Sequence, residues 1–140
     1  MGKQHLTAKE KDIVLGRISE ILQQKDYIFF AYIFGSFASD KDFNDIDIGI
    51  FITCKDIQAP LQIELDIERE LEDTVRISVD VRIINHAPLS FIYHVLKSGF
   101  VIVDKDKSIR SDFEGLIYKK YFDFQYVRRE YLREIINAPV

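Results

Sequence analysis

The chain has 140 residues, of which 47% are hydrophobic and 30% charged, with a formal net charge of −4. That length and balance suit one globular domain spanning residues 1–140, and the acidic excess argues against nucleic-acid binding by phosphate neutralisation. A single cysteine, Cys54, excludes an intramolecular disulfide and reads as a small residue at a strand end. No run reaches the roughly 18 apolar residues of a membrane helix and no signal-peptide pattern opens the chain, so a cytoplasmic location is expected.

Thr7-Ala8-Lys9-Glu10 has the form of a capping box, and Val14, Ile18, Ile21 and Leu22 follow at helical spacing. Residues 8–25 are therefore expected to form an amphipathic helix. Tyr27 to Phe34 is a continuous aromatic and β-branched run, which predicts a buried strand ending at Gly35-Ser36. From residue 45 to 52 the period is two. Ile46, Ile48, Ile50 and Ile52 point one way, while Asp45, Asp47 and Gly49 point the other.

Residues 60–73 fit both a helix, through Ile63, Ile67 and Leu71, and a strand, through Leu61, Ile63, Leu65 and Ile67. Their length, their glutamates and Pro60 in the first turn favour the helix. A third strand is predicted over 75–84, with Arg76, Ser78, Asp80 and Arg82 on one face. A short helix over 88–97 closes at Gly99, residues 100–103 are extended, and 109–136 form a long terminal helix. This order predicts an α/β (α+β) sandwich.

Three features carry chemistry. Asp45 and Asp47 lie on one face of a strand, where their charges repel unless a cation or a proton intervenes. Taken alone, such a pair is better explained as a solvated strand edge. Asp80 sits mid-strand among valines, where an acid is disfavoured without a partner; a metal shared with the pair or a salt bridge to Arg76 or Arg82 would supply one. Gly35-Ser36 permits a tight turn whose amides can cradle a phosphate.

Together, Gly35-Ser36, Asp45-x-Asp47 and Asp80 resemble the signature of the nucleotidyltransferase superfamily that includes DNA polymerase β, most closely its minimal members. Phe91 to Asp104 and the aromatic terminal helix around Tyr121-Phe122-Asp123 are similar to the minimal members that act as antitoxins beside HEPN-type toxins. The loop from Ser36 to Asp45 holds eight residues, Phe37 to Asn44, which is shorter than usual for them. Ser39 stands where many have an arginine, and Lys41 is the cation taken to replace it.

The resemblance implies a nucleotidyltransferase fold, a mixed β-sheet flanked by helices with a long C-terminal helix. It implies AMP transfer from ATP, with two Mg2+ ions held by Asp45, Asp47 and Asp80, and with Asp80 able to take the proton of the attacking hydroxyl. Gly35, Ser36 and Lys41 would bind the phosphates. The acceptor it implies is a tyrosine of a cognate HEPN-type toxin. The competing readings are transfer to a small molecule or tRNA, and a non-catalytic module that neutralises a partner by contact.

The remaining motifs read more plainly. His5, His86 and His94 show no ligand spacing, and Arg76 and Arg82 are expected to orient Asp80. Lys119-Lys120 and Arg128-Arg129 are solvated faces. The aromatic excess of the last helix is first a core stripe with amphipathic edges, and beyond that a partner or homo-oligomer surface.

Overall fold

The computed structural model describes residues 4–53 and 59–137. Its elements are α1 (Ala8–Gln23), β1 (Ile28–Phe34), a 3-10 turn (Ser36–Ala38), β2 (Ile46–Ile52), α2 (Pro60–Val75), β3 (Val79–Ile83), α3 (Leu89–Ser98), β4 (Phe100–Asp104) and α4 (Lys107–Asn137). The sheet order is β3-β2-β1-β4, with β1 antiparallel to both β2 and β4, and β2 parallel to β3. This is the mixed sheet flanked by helices that was expected. Cys54 lies outside the described residues.

The alternation within each strand divides the core between the two faces of the sheet. Ile46, Ile48, Ile50 and Ile52 face Ile18 and Leu22 of α1 and Ile67 and Leu71 of α2. Phe30, Tyr32 and Phe34 face the other way, towards Ile92 and Val95 of α3 and Ile117 of α4. The ambiguity over residues 60–73 resolves as a helix, because Ile67 and Leu71 are buried while Leu61 and Leu65 stand 65% and 43% exposed. The capping box is present, with Thr7 Oγ1 accepting from the Glu10 amide at 3.2 Å and Glu10 Oε1 accepting from the Thr7 amide at 3.0 Å.

Most element ends shift by only one or two residues from expectation, and two features differ further. The third strand begins at Val79, because α2 runs on to Val75 and Arg76 reverses the chain with φ 59°. Arg76 therefore caps a helix and does not share a strand face with Asp80. Gly99 ends α3 in extended backbone with φ −100°, so no left-handed cap is involved. Glycine is needed there for space, since a Cβ would lie 2.5 Å from the Ile33 carbonyl oxygen and 2.7 Å from that of Val95.

β3 is an edge strand, and α2 covers its free edge with a row of carboxylates. Glu64 accepts from the Ile83 amide at 2.8 Å, Glu68 from Val81 at 2.7 Å and Glu72 from Val79 at 3.4 Å. Spaced by four, these glutamates satisfy amides that would otherwise offer a template for pairing with another chain. Replacing Glu64 and Glu68 together with alanine is expected to cost about 1–3 kcal/mol. It should also make the protein self-associate with concentration, which analytical ultracentrifugation would detect.

α4 is fastened to the sheet by a polar network at its root. Arg110 lies 3.0 Å from Asp104 and 2.8 Å from Glu114, and the Tyr32 hydroxyl donates to Glu114 at 2.6 Å. Burial, then the bond to Glu114, holds the Tyr32 phenol neutral well beyond its ordinary range. Tyr32→Phe should lower stability by about 1 kcal/mol in urea unfolding, the usual net value of one such bond. With 31 residues, α4 is roughly 46 Å long, and its far half leaves the sheet with Phe124, Tyr131 and Ile135 more than half exposed. Among the described residues no helix is long and apolar enough to cross a membrane.

Candidate active site

The candidate site lies where β1 ends and β2 and β3 begin. In the β2–β3 ladder Asp47 is the direct partner of Asp80, and in the β1–β2 ladder it is the partner of Phe34, the residue before Gly35. Neighbouring strands lie about 4.8 Å apart, so strand pairing alone brings the two carboxylates together. Asp45 sits one residue ahead of β2 and is exposed, whereas Asp47 and Asp80 are half-buried.

Gly35 is built into the same corner. Its backbone has φ 77° and ψ −163°, a conformation essentially reserved for glycine. The space its missing side chain leaves is taken by the Asp47 carboxylate, because an added Cβ would overlap Asp47 Oδ2. The glycine of the Gly-Ser pair and the second acid of the Asp pair are thus in direct contact. Ser36 opens the 3-10 turn that follows.

Burial first, and neighbouring carboxylates second, set the electrostatics of the site. Burial, then Asp80, then Asp45 push the Asp47 carboxyl up to about 6, against the opposing pull of Arg82 and His94. Arg82 Nε reaches Asp80 Oδ1 at 3.4 Å. Asp80 also acts on Glu68, whose own carboxyl is raised, first by burial and then in part by Asp80.

The expected residues therefore come together unevenly. Gly35, Asp47 and Asp80 meet in one corner, with Asp45 close enough for its charge to act on Asp47. Lys41 is exposed at the loop tip; its amide donates to Ser39 Oγ at 3.3 Å, and its side chain has no ion pair among the described residues. The cation that does hold this loop is Lys11 of α1, with Nζ 3.2 Å from the Phe37 oxygen and 2.8 Å from that of Ser39.

The sequence does not single out Lys11 or Glu68, and it reads His94 only as a histidine without ligand spacing, yet His94 lies near enough to act on Asp47. Nothing in an amphipathic helix marks the lysine that will reach a loop 26 residues away. In the sequence Glu68 is simply one of the glutamates that favour a helix over residues 60–73. His94 is exposed on α3, its ring edge-on to Phe34 at 6.4 Å, on the same face of the sheet as Asp47.

The family model described as "Polymerase beta, Nucleotidyltransferase" matches residues 16–108, which include the whole of this corner. The chain belongs to that family. No curated protein matches it significantly. Solved structures share the fold. A chain from the complex of tri-AMPylated Shewanella oneidensis HEPN toxin with MNT antitoxin superposes with a TM-score of 0.69 at 16% identity, covering 90% of this chain and 98% of that one. One from the toxin–antitoxin MntA-HepT gives 0.67 at 15% identity, with 89% and 98% covered. One from a toxin–antitoxin with AMP-PNP gives 0.64 at 17%, with 93% and 99% covered.

Proposed function

We propose that this nucleotidyltransferase moves AMP from ATP onto a tyrosine hydroxyl of a cognate HEPN-type toxin and so acts as its antitoxin, the whole chain forming one minimal domain. The observation that carries the chemistry is the pairing of Asp47 with Asp80 across adjacent strands, with the Asp47 carboxylate seated in the space left by Gly35. The acceptor is argued from the neighbours, one of which holds an AMPylated HEPN toxin and another a non-hydrolysable ATP analogue.

The donor set fits magnesium. All three acids offer hard oxygen ligands, and the Asp47 carboxyl, raised first by burial and then by the Asp80 and Asp45 carboxylates, is one that a bound cation would keep ionised. Among the described residues no three His, Cys, Asp or Glu side chains converge on one point as a ready-made cage. Magnesium does not require one, since it is usually held by one or two carboxylates, substrate phosphates and water. Asp45 and Asp47 would hold both ions and Asp80 would complete the position nearer the acceptor. When bound, the ions acidify the attacking hydroxyl and neutralise charge building on the triphosphate.

The protein's own groups then have defined tasks. Gly35 and Ser36 hold the β- and γ-phosphates, with Lys41 as the loop cation beside them. The acceptor oxygen forms a bond to the α-phosphorus, the bond from that phosphorus to the bridging oxygen breaks, and pyrophosphate leaves with the electron pair. Asp80 receives the hydroxyl proton. Arg82 keeps Asp80 aimed at the acceptor side.

The test uses ATP labelled on the α-phosphate, magnesium and the product of the neighbouring gene, comparing wild type with Asp47→Asn. Label is expected on the partner, falling by about three orders of magnitude or more in the variant, since a catalytic metal supplies several kcal/mol. Neutralisation of the partner by both proteins without any label would replace this reading with inhibition by contact.

A further inference from the structure

The turn that follows Gly35 is held by a segment lying ahead of the family-matched region. The family match starts at residue 16, yet residues 4–11 contact the loop between Ser36 and Asp45 at several points. Gln4 and Phe43 exchange two backbone hydrogen bonds, of 2.7 and 3.1 Å. His5 Nδ1 stands 3.2 Å from Asp42 Oδ1. Lys11 Nζ donates to the carbonyls of Phe37 and Ser39 and lies 5.0 and 5.6 Å from the ring centroids of Phe37 and Phe43.

What matters is where those carbonyls lead. The Phe37 carbonyl shares one rigid peptide plane with the Ala38 amide, which donates to the Gly35 carbonyl at 3.1 Å. The Gly35 carbonyl in turn shares its plane with the Ser36 amide. Lys11 is therefore joined to the Ser36 N–H through two peptide groups in series, each of which orients and polarises the next. A second branch runs through Ser39, whose carbonyl Lys11 holds and whose amide and Oγ donate to the Ser36 carbonyl at 3.2 and 2.9 Å, setting the plane of the Phe37 amide.

We propose that Lys11 is a positioning residue for triphosphate binding: it holds the Ser36 and Phe37 amides in the direction of the β- and γ-phosphates without touching them. The inference rests on the nucleotide-binding reading above. It explains how a shortened loop with Ser39 in place of an arginine keeps its shape, because the cation that fixes it comes from α1.

Lys11→Met keeps the aliphatic stem against Phe37 and Phe43 and removes the ammonium, while Lys11→Arg keeps a cationic donor. Titration calorimetry with ATP and with AMP, in magnesium, would be combined with KM and kcat for label transfer. Lys11→Met is expected to weaken ATP binding and raise KM about tenfold, the scale of one charge-assisted bond, with kcat within about twofold of wild type. AMP affinity should hardly change, because AMP lacks the phosphates this turn would contact, and Lys11→Arg should recover most of the loss.

Equal losses for ATP and AMP, or a fall in kcat at unchanged KM, would overturn the proposal in favour of a general structural role. If Lys11→Met fails to fold by circular dichroism, Lys11→Gln takes its place and must show the same contrast between ATP and AMP. A wild-type protein that binds Mn2+ but not ATP would instead remove the nucleotide reading itself, and the positioning role with it.

Discussion

In the absence of divalent cations, Asp47→Asn should be more stable than wild type at pH 8 and no more stable at pH 4. The Asp47 carboxyl titrates near 6 in the folded protein, raised first by burial and then by Asp80 and Asp45, whereas an unfolded aspartate titrates near its ordinary 3.8. A raised acid favours folding while protonated, so its contribution is complete below about pH 4 and is lost as pH rises through 6. Asparagine mimics the protonated form at every pH and escapes that loss. The full shift would correspond to roughly 3 kcal/mol, but Asp47 is only half-buried and solvent screens its neighbours, leaving about 1 kcal/mol. In thermal melts that is a gain of a few degrees.

Magnesium with ATP should reverse the order. A ligand that binds only the native state stabilises it in proportion to its occupancy, and here the wild-type acids would provide that binding. Wild type should therefore rise above Asp47→Asn once both are added. A variant that stays equal to wild type at pH 8 without metal would mean that Asp47 is not held against its ionisation. A wild-type protein indifferent to magnesium and ATP would detach the acid cluster from the proposed chemistry.

Much of this arrangement was legible because strand residues alternate strictly. The isoleucines of β2 and the valines of β3 assign the core face, so Asp47 and Asp80 fall on the opposite face, and parallel pairing of the two strands makes them neighbours. The start of β3 was harder to read. Val75 lies four residues after Leu71 and so continues the buried stripe of α2, while Ile77 is buried in the connection. Both imitate the period-two pattern of the strand that follows. What separates them is the left-handed turn at Arg76, a residue type that does not announce such a backbone.

The contacts that sequence could not supply are those between elements distant in the chain. Glu64, Glu68 and Glu72 enter the sequence reading only as helix-favouring residues, and that they face the free edge of β3 follows only from α2 lying along it. Lys11 poses the same problem, since its partners are carbonyl oxygens, which every residue has. Gly35 was legible as a turn residue, yet the reason it must be glycine depends on a side chain from the next strand.

That reason leads to the largest stability effect expected of a single change. Gly35→Ala should lower stability by about 3–4 kcal/mol, a fall in melting temperature on the order of 10 °C. Roughly 1–3 kcal/mol comes from forcing a side chain into a backbone region that glycine alone occupies. The remainder comes from overlap with Asp47, whose carboxylate must swing away, so AMP transfer should fall with stability. A double-mutant cycle separates the two terms. Asp47→Ala in the Gly35→Ala background removes the overlap but not the backbone cost, so the pair should be less destabilised than the sum of the singles predicts, by about 1–2 kcal/mol. Simple additivity would mean that backbone conformation alone demands the glycine. A coupling of the expected size would show that Gly35 and Asp47 are one unit, in which the absence of a side chain just past the end of β1 decides where the acid on β2 stands.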